Sequence, residues 1–227
     1  MTGRAAELAA YHEAEVVSCT RCHLSRCRTQ VVVGSGDPTA RLMLVGEAPG
    51  YHEDRQGVPF VGQAGQLLDT LLAGIGLSRD EVFVANVLKC RPPGNRDPLP
   101  AEIAACEEHL FRQVEIIAPR VICTLGNFAT KLLSGRPDGI SRVHGRELPI
   151  RVRSLDVLLL PLFHPAAALY TRSMLAVLEE DFARIPALIE NVPDEPLPEP
   201  APPVESPREM AHAAATPEAQ PEQLGLF

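Results

Sequence analysis

Four cysteines stand at spacings that would gather thiolates around one inorganic centre. Cys19-Thr-Arg-Cys22 is a C-x2-C turn, a spacing that lets two sulfurs approach the same metal. Cys90 opens Cys90-Arg-Pro-Pro-Gly-Asn-Arg, a loop too rich in proline for a helix or a central strand. Cys106 lies in a helical stretch that starts near Pro100. Four thiolates serve either zinc or an iron–sulfur cluster. A lone C-x2-C also describes reduced loop cysteines. A zinc ribbon brings a second close pair, and this chain has none; one pair plus two singles suits a cluster, which spreads its ligands over several irons. Cys27 competes for the fourth position, and spacing leaves that choice open. Cys123, within Val121-Ile122-Cys123-Thr124-Leu125, reads as a small apolar strand residue.

A second group of residues carries a different chemistry. Gly46-Glu47-Ala48-Pro49-Gly50 is followed closely by Glu53 and Asp54. Two glycines and a proline force a tight turn whose outward N–H groups suit an anion or a polar ring, although solvated acids in an ordinary strand-to-helix loop look the same. Phe60 sits in a glycine-bracketed loop, Gly57-Val58-Pro59-Phe60-Val61-Gly62, in a chain with 4% aromatics; it is either core or a stacking platform for a base. Asn86 offers a donor and an acceptor together, as the Watson–Crick edge of a pyrimidine requires. His164 is fixed by the proline after it. The bland alternatives are a turn asparagine and a core histidine.

The elements that must hold these residues follow from hydrophobic pattern. Strand-like runs occupy residues 41–45, 82–87, 120–125 and 155–160. Helical patterns at 63–75, 100–117, 127–133 and 172–189 separate them, helix 5–17 leads into the cysteine turn, and 142–152 reads as a short hairpin. The alternation predicts an α/β fold: a three-layer αβα sandwich around a mainly parallel, four-stranded sheet. Ligands of such sheets bind at the carboxyl ends of the strands, where the Gly46 turn, Asn86 and His164 all fall.

Composition divides the chain at residue 190. Of the net charge of −8, residues 191–227 carry −6, from seven acids against Arg208, which leaves −2 on residues 1–190. Nine of the 22 prolines lie in the same tail. A disordered, acidic, proline-rich tail is expected after a single globular domain of residues 1–190. The near-neutral body leaves room for a basic face that the whole-chain charge would argue against. The absence of a cationic apolar leader, or of an apolar run long enough to span a bilayer, predicts a cytoplasmic, reducing location and no membrane partner. There, cysteines serve metals more often than disulfides.

Taken in order, the Gly46–Gly50 turn with Glu53-Asp54, the Gly57–Gly62 loop, Asn86 with Lys89-Cys90-Arg91-Pro92-Pro93-x-Asn95-Arg96, and His164-Pro165-Ala166-Ala167 resemble the family-4 uracil-DNA glycosylases over about residues 19–189. The resemblance implies a [4Fe–4S] cluster on Cys19, Cys22, Cys90 and Cys106. It implies a bacterial base-excision-repair enzyme associated with the nucleoid and acting as a monomer on uracil-containing DNA, which flips uracil out and hydrolyses its glycosidic bond. His164 would donate to uracil O2, Phe60 would stack on the ring and Asn86 would read O4 and N3, with Gly46, Ala48 and Gly50 forming the pocket turn. The histidine-bearing basic insertion of the related branch that crosslinks to uracil sites is absent, which favours hydrolysis. Relatives in the wider superfamily place the catalytic acid before the motif proline, where this chain has Ala48, and a tyrosine barrier against thymine where it has Gly50. Glu47 is therefore assigned to the water, Glu53 to the barrier, and Asp54 to the same substrate loop.

DNA docking needs phosphate contacts and a wedge. Arg91 and Arg96 lead the basic candidates, with Lys89, Arg142 and Arg146 behind them. Leu169 is the candidate wedge for the gap left by a flipped base. The chain ends in Gln223-Leu224-Gly225-Leu226-Phe227, which looks like the peptide by which bacterial repair proteins bind the sliding clamp; Gln223, Leu224, Leu226 and Phe227 would be its anchors. The competing functional class is a metal-bearing nucleic-acid-binding module without turnover.

Overall fold

The computed structural model describes residues 3–192. A six-stranded sheet runs in the order β1-β3-β2-β4-β6-β5. Its centre is the expected parallel quartet: β3 (Phe83–Asn86), β2 (Leu42–Gly46), β4 (Val121–Leu125) and β6 (Leu155–Leu162). Two antiparallel edge strands extend the four-stranded sheet predicted from sequence. β1 (Ser35–Gly36) is only two residues long and pairs with β3, too short to leave a period of two. β5 (Leu148–Val152) forms a hairpin with β6, turning at Arg153 with φ 55°. The predicted 142–152 hairpin is thus half of a different one, and a short helix, α6 (Ile140–Val143), precedes it.

The strands of the quartet are buried on both faces, so they read as continuous apolar runs. Alternate residues feed two separate cores. Met43, Val45, Phe83, Ala85, Ile122 and Leu159 pack with Leu8 of α1 (Gly3–Tyr11), Leu110, Val114 and Ile117 of α4 (Pro100–Ile117), and Leu133 of α5 (Asn127–Ser134). Leu42, Leu44, Val84, Cys123, Leu160 and Leu162 pack with Leu68 and Leu72 of α3 (Gln63–Gly74) and, on the chain's last helices, Leu178, Phe182 and Ile185. This is the three-layer sandwich, with Cys123 a buried apolar residue in its core. The predicted helix 172–189 is two helices, α8 (Arg172–Ala183) and α9 (Ile185–Asn191); Pro186 lacks the amide that a continuous helix needs and forces the break. Two short helices complete the set, α2 (Tyr51–Gln56) after the β2 turn and α7 (Pro165–Ala168) after β6. No helix among the described residues is long and apolar enough to cross a membrane.

Candidate active site and thiol cavity

The four parallel strands end at one edge of the sheet, and a cavity of about 350 Å³ opens there. Glu47, Ala48, Gly50 and Glu53 line one side, with Phe60, Asn86, Arg96 and His164 on the others. Gly46 and Asn86 are register partners at the ends of neighbouring strands. A Cβ on Gly46 would fall 2.4 Å from Asn86 Oδ1 and 2.6 Å from Phe60 Cζ, so glycine lets the amide and the ring meet over the strand end. Asn86 is 2% exposed. Its Oδ1 is the one buried side-chain polar atom among the described residues with no hydrogen-bond partner. It borders the cavity, so a ligand donor placed there can satisfy it.

His164 caps α7. Its Nδ1 accepts the Ala166 amide at 3.1 Å, which leaves the proton on Nε2. Burial holds its pKa down to about 4, so the ring is neutral near pH 7 and offers one N–H. The ring stacks with Phe60 at 5.7 Å between centroids and 24° between planes. Glu47 lies half-buried at the end of β2, and burial, aided by the charge of Asp97, pushes its pKa up to about 7. The site therefore joins a neutral donor, an orphan acceptor and a carboxyl poised between its two forms.

Phe60 adopts φ 53°, an uncommon conformation for a bulky residue, and two groups hold it there. Glu53 Oε1 accepts the amides of Val61 and Gly62 at 2.9 and 3.0 Å. Arg79 donates to the Phe60 carbonyl at 2.8 Å. Arg79 lies outside every motif and was not found by sequence reasoning. The same contacts revise the reading of Glu53: it forms part of the cavity wall, but its carboxylate is engaged in bracing the Phe60 loop. Asp54 does not line the cavity. It is buried and accepts the Thr29 amide at 2.8 Å, tying α2 to the segment before β1.

The basic candidates separate by their surroundings. Lys89 is 2% exposed and so is excluded as a phosphate contact. Arg96 lines the cavity, but both of its terminal nitrogens donate to the buried carboxylate of Glu102, at 2.9 and 2.6 Å, so its charge is matched by the first turn of α4. Arg91 has no ion pair among the described residues; its Nε donates to Asn95 Oδ1 at 2.7 Å and its guanidinium lies 5.1 Å from the centre of the Tyr51 ring. Arg142, far more exposed, is 3.9 Å from Asp138, and Arg146 is exposed. Leu169 is half-buried in a different hollow, with Gln63, Gln66, Leu67, Thr70 and Tyr170. The neighbouring Tyr170 is 85% exposed, so the projecting apolar group beside α7 is the tyrosine.

Cys19, Cys22, Cys90 and Cys106 line a second, small cavity with Arg28, Lys89 and His109. Cys27 is exposed and faces the His23 carbonyl, outside this set. Among the described residues no three metal-binding groups converge on a single-ion point. The four thiols line one small hollow, a donor set whose chemistry suits a thiolate-bound metal centre. Three sulfurs meet N–H groups: Arg28 Nη1 with Cys90 and the Lys89 amide with Cys106, both at 3.3 Å, and His109 Nε2 with Cys19 at 3.3 Å. The Tyr11 hydroxyl lies 2.9 Å from His109 Nδ1; donating there, it sets the tautomer that presents Nε2–H to sulfur. Burial pushes the Cys106 thiol up to about 11 and raises that of Cys90, so binding of a metal centre would release protons.

The model of the uracil DNA glycosylase superfamily matches residues 33–185, and the chain belongs to that superfamily. The chain is 47% identical over 176 residues to a type-4 uracil-DNA glycosylase of Sulfurisphaera tokodaii, covering 75% of this chain and 80% of that protein. It is 45% identical over 175 residues to the type-4 uracil-DNA glycosylase of Archaeoglobus fulgidus, covering 75% and 88%. It is 44% identical over 184 residues to that of Saccharolobus solfataricus, covering 79% and 85%.

Proposed function

We propose that this protein excises uracil from DNA in base excision repair, by hydrolysis of the N-glycosidic bond. The observation that carries the reading is the unmet acceptor Asn86 Oδ1, in one cavity with the His164 N–H. Uracil N3–H is a donor that satisfies Oδ1, whereas N3 of cytosine is an acceptor and is repelled. Phe60 supplies an apolar wall for the flipped ring. His164 Nε2–H donates to uracil O2, where negative charge develops as the bond breaks. Glu47, once ionised, stabilises the oxocarbenium-like sugar and takes a proton from water. The water oxygen bonds to C1′, and the electrons of the C1′–N1 bond leave with uracil.

Cys19, Cys22, Cys90 and Cys106 would hold a [4Fe–4S] cluster. When bound, that group supplies a cross-link between the N-terminal segment, the Cys90 loop and α4. Arg91 is the residue offered to phosphate, and the protein acts as a monomer on DNA within the cytoplasm. The clamp-binding peptide, Gln223, Leu224, Leu226 and Phe227, lies outside the described residues. It would tether the domain of residues 1–190 to the sliding clamp through the 191–227 segment, raising its concentration on DNA without altering the site.

Release of free base from oligonucleotides bearing one uracil, cytosine or thymine tests the activity. Release from the uracil strand alone is expected. Tight DNA binding without release would leave the non-catalytic module as the better reading. Calorimetry of the full chain and of a form ending at Glu222 against a bacterial clamp tests the tail: micromolar binding lost on truncation is expected, and equal heats refute it.

A further inference from the structure

Lys89 is a buried cation with no carboxylate partner. Its ammonium donates to the Asn86 carbonyl at 2.8 Å and to Gln113 Oε1 at 2.5 Å, and no ion pair involves it among the described residues. Burying an ammonium on neutral acceptors alone is costly, so such groups normally have a counter-charge. The acidic groups beside Lys89 are the thiols of the second cavity, which Lys89 itself lines. Its own amide donates to Cys106 Sγ at 3.3 Å, and Cys90 is the next residue. On the other side, its ammonium grips the backbone of the residue whose side chain supplies the unmet acceptor of the uracil cavity. Gln113 is anchored in turn, donating to the Val33 carbonyl at 2.5 Å and lying 2.7 Å from His12.

We propose that Lys89 is a positioning residue that couples the two cavities: it offsets the negative charge of an occupied cysteine site and, through the Asn86 carbonyl, holds the end of β3 where Oδ1 meets uracil. The proposal rests on the uracil and cluster readings above and adds a mechanical and electrostatic link between them. An anionic centre in the thiol cavity favours the buried ammonium, and the fixed ammonium keeps Asn86 in register with Gly46. The coupling acts on recognition of the base rather than on DNA binding at large.

The test is Lys89→Met in the iron-loaded protein, which keeps the chain length and removes the charge. Two quantities are read: the midpoint potential of the cluster, and the dissociation constants for an uncleavable 2′-fluoro-deoxyuridine oligonucleotide and its thymidine counterpart. The expected result is a more negative potential, because a positive charge that favoured the reduced form is gone. Affinity for the uracil analogue should fall about tenfold, the scale of one charged hydrogen bond, with affinity for the thymidine strand unchanged. Lys89→Arg should recover most of the potential. An unchanged potential, or equal losses on both oligonucleotides, overturns the proposal. Should Lys89→Met fail to fold, Gln113→Glu asks the same question by giving the ammonium a carboxylate: the potential must fall and uracil-analogue affinity must change, and constancy of either overturns the proposal. Wild-type protein that lacks iron or releases no uracil would instead refute the readings beneath it.

Discussion

Gly46→Ala should slow uracil release and cost the fold a comparable free energy. The new Cβ would stand 2.4 Å from Asn86 Oδ1 and 2.6 and 2.8 Å from two carbons of Phe60. Ordinary contact begins near 3.4 Å, so the neighbours must yield by about 1 Å. The backbone of Gly46 resists the movement, since it is paired with β3 and its carbonyl accepts the Val87 amide at 2.9 Å. The Phe60 backbone is braced by Arg79 and Glu53. The displacement therefore falls on the Asn86 amide and the Phe60 ring. Misplacement of about 1 Å in a catalytic constellation costs on the order of 100-fold in rate, equivalent to about 2.7 kcal/mol of barrier. Overpacking costs about 1–3 kcal/mol of stability. Gly74→Ala is the control, because a Cβ there meets nothing within 4 Å and replacing a helical glycine should stabilise by about 0.5–1 kcal/mol. Single-turnover uracil release and thermal melting are measured for both variants. A Gly46→Ala enzyme within threefold of wild type would show that the Gly46–Asn86–Phe60 contact does not shape the site.

Three further outcomes are expected. The uracil-release rate should rise with pH through about 7, where Glu47 ionises, and Glu47→Gln should remove the rise while leaving DNA affinity intact; a parallel profile in the variant rejects Glu47 as the base. The same raised pKa makes Glu47's contribution to stability full below its ordinary 4.5 and lost as pH climbs through 7. His164→Ala should slow release by about 10²–10⁴-fold with little change in DNA binding. Because the folded-state pKa of His164 is held near 4 against the usual 6.5, its contribution to stability is present above 6.5 and declines as pH falls toward 4, a component of acid unfolding that the variant should lack in denaturant titrations. Anaerobically purified protein should carry about four irons per chain, and Cys106→Ala should lose iron whereas Cys27→Ala retains it; stoichiometric zinc in colourless protein, or iron loss from the Cys27 variant, contradicts the ligand set.

The sequence alone was enough for the parallel quartet, because strands buried on both faces are continuous apolar runs and the helices between them keep their own period. It also placed the Gly46 turn, Asn86 and His164 at strand ends, because each follows on an apolar run; ordinary turns use the same residue types, so residue type alone did not fix their roles. Edge strands were not legible: β1 is two residues long, and β5 is identified by its partner rather than by its pattern. The sequence marked Lys89, Glu53 and Asp54 as polar and near the motifs, and polarity suggested contact with DNA or base. Only the tertiary structure decided that Lys89 lies buried against Asn86 and Gln113, that Glu53 braces the Phe60 loop, and that Asp54 caps a distant amide. Arg79 carries no local signature, because its role is to reach a carbonyl 19 residues away. Backbone pattern is a local property, written in the order of residues. The partner of a charged side chain depends on which chain segments pack together, and that is set by the whole fold.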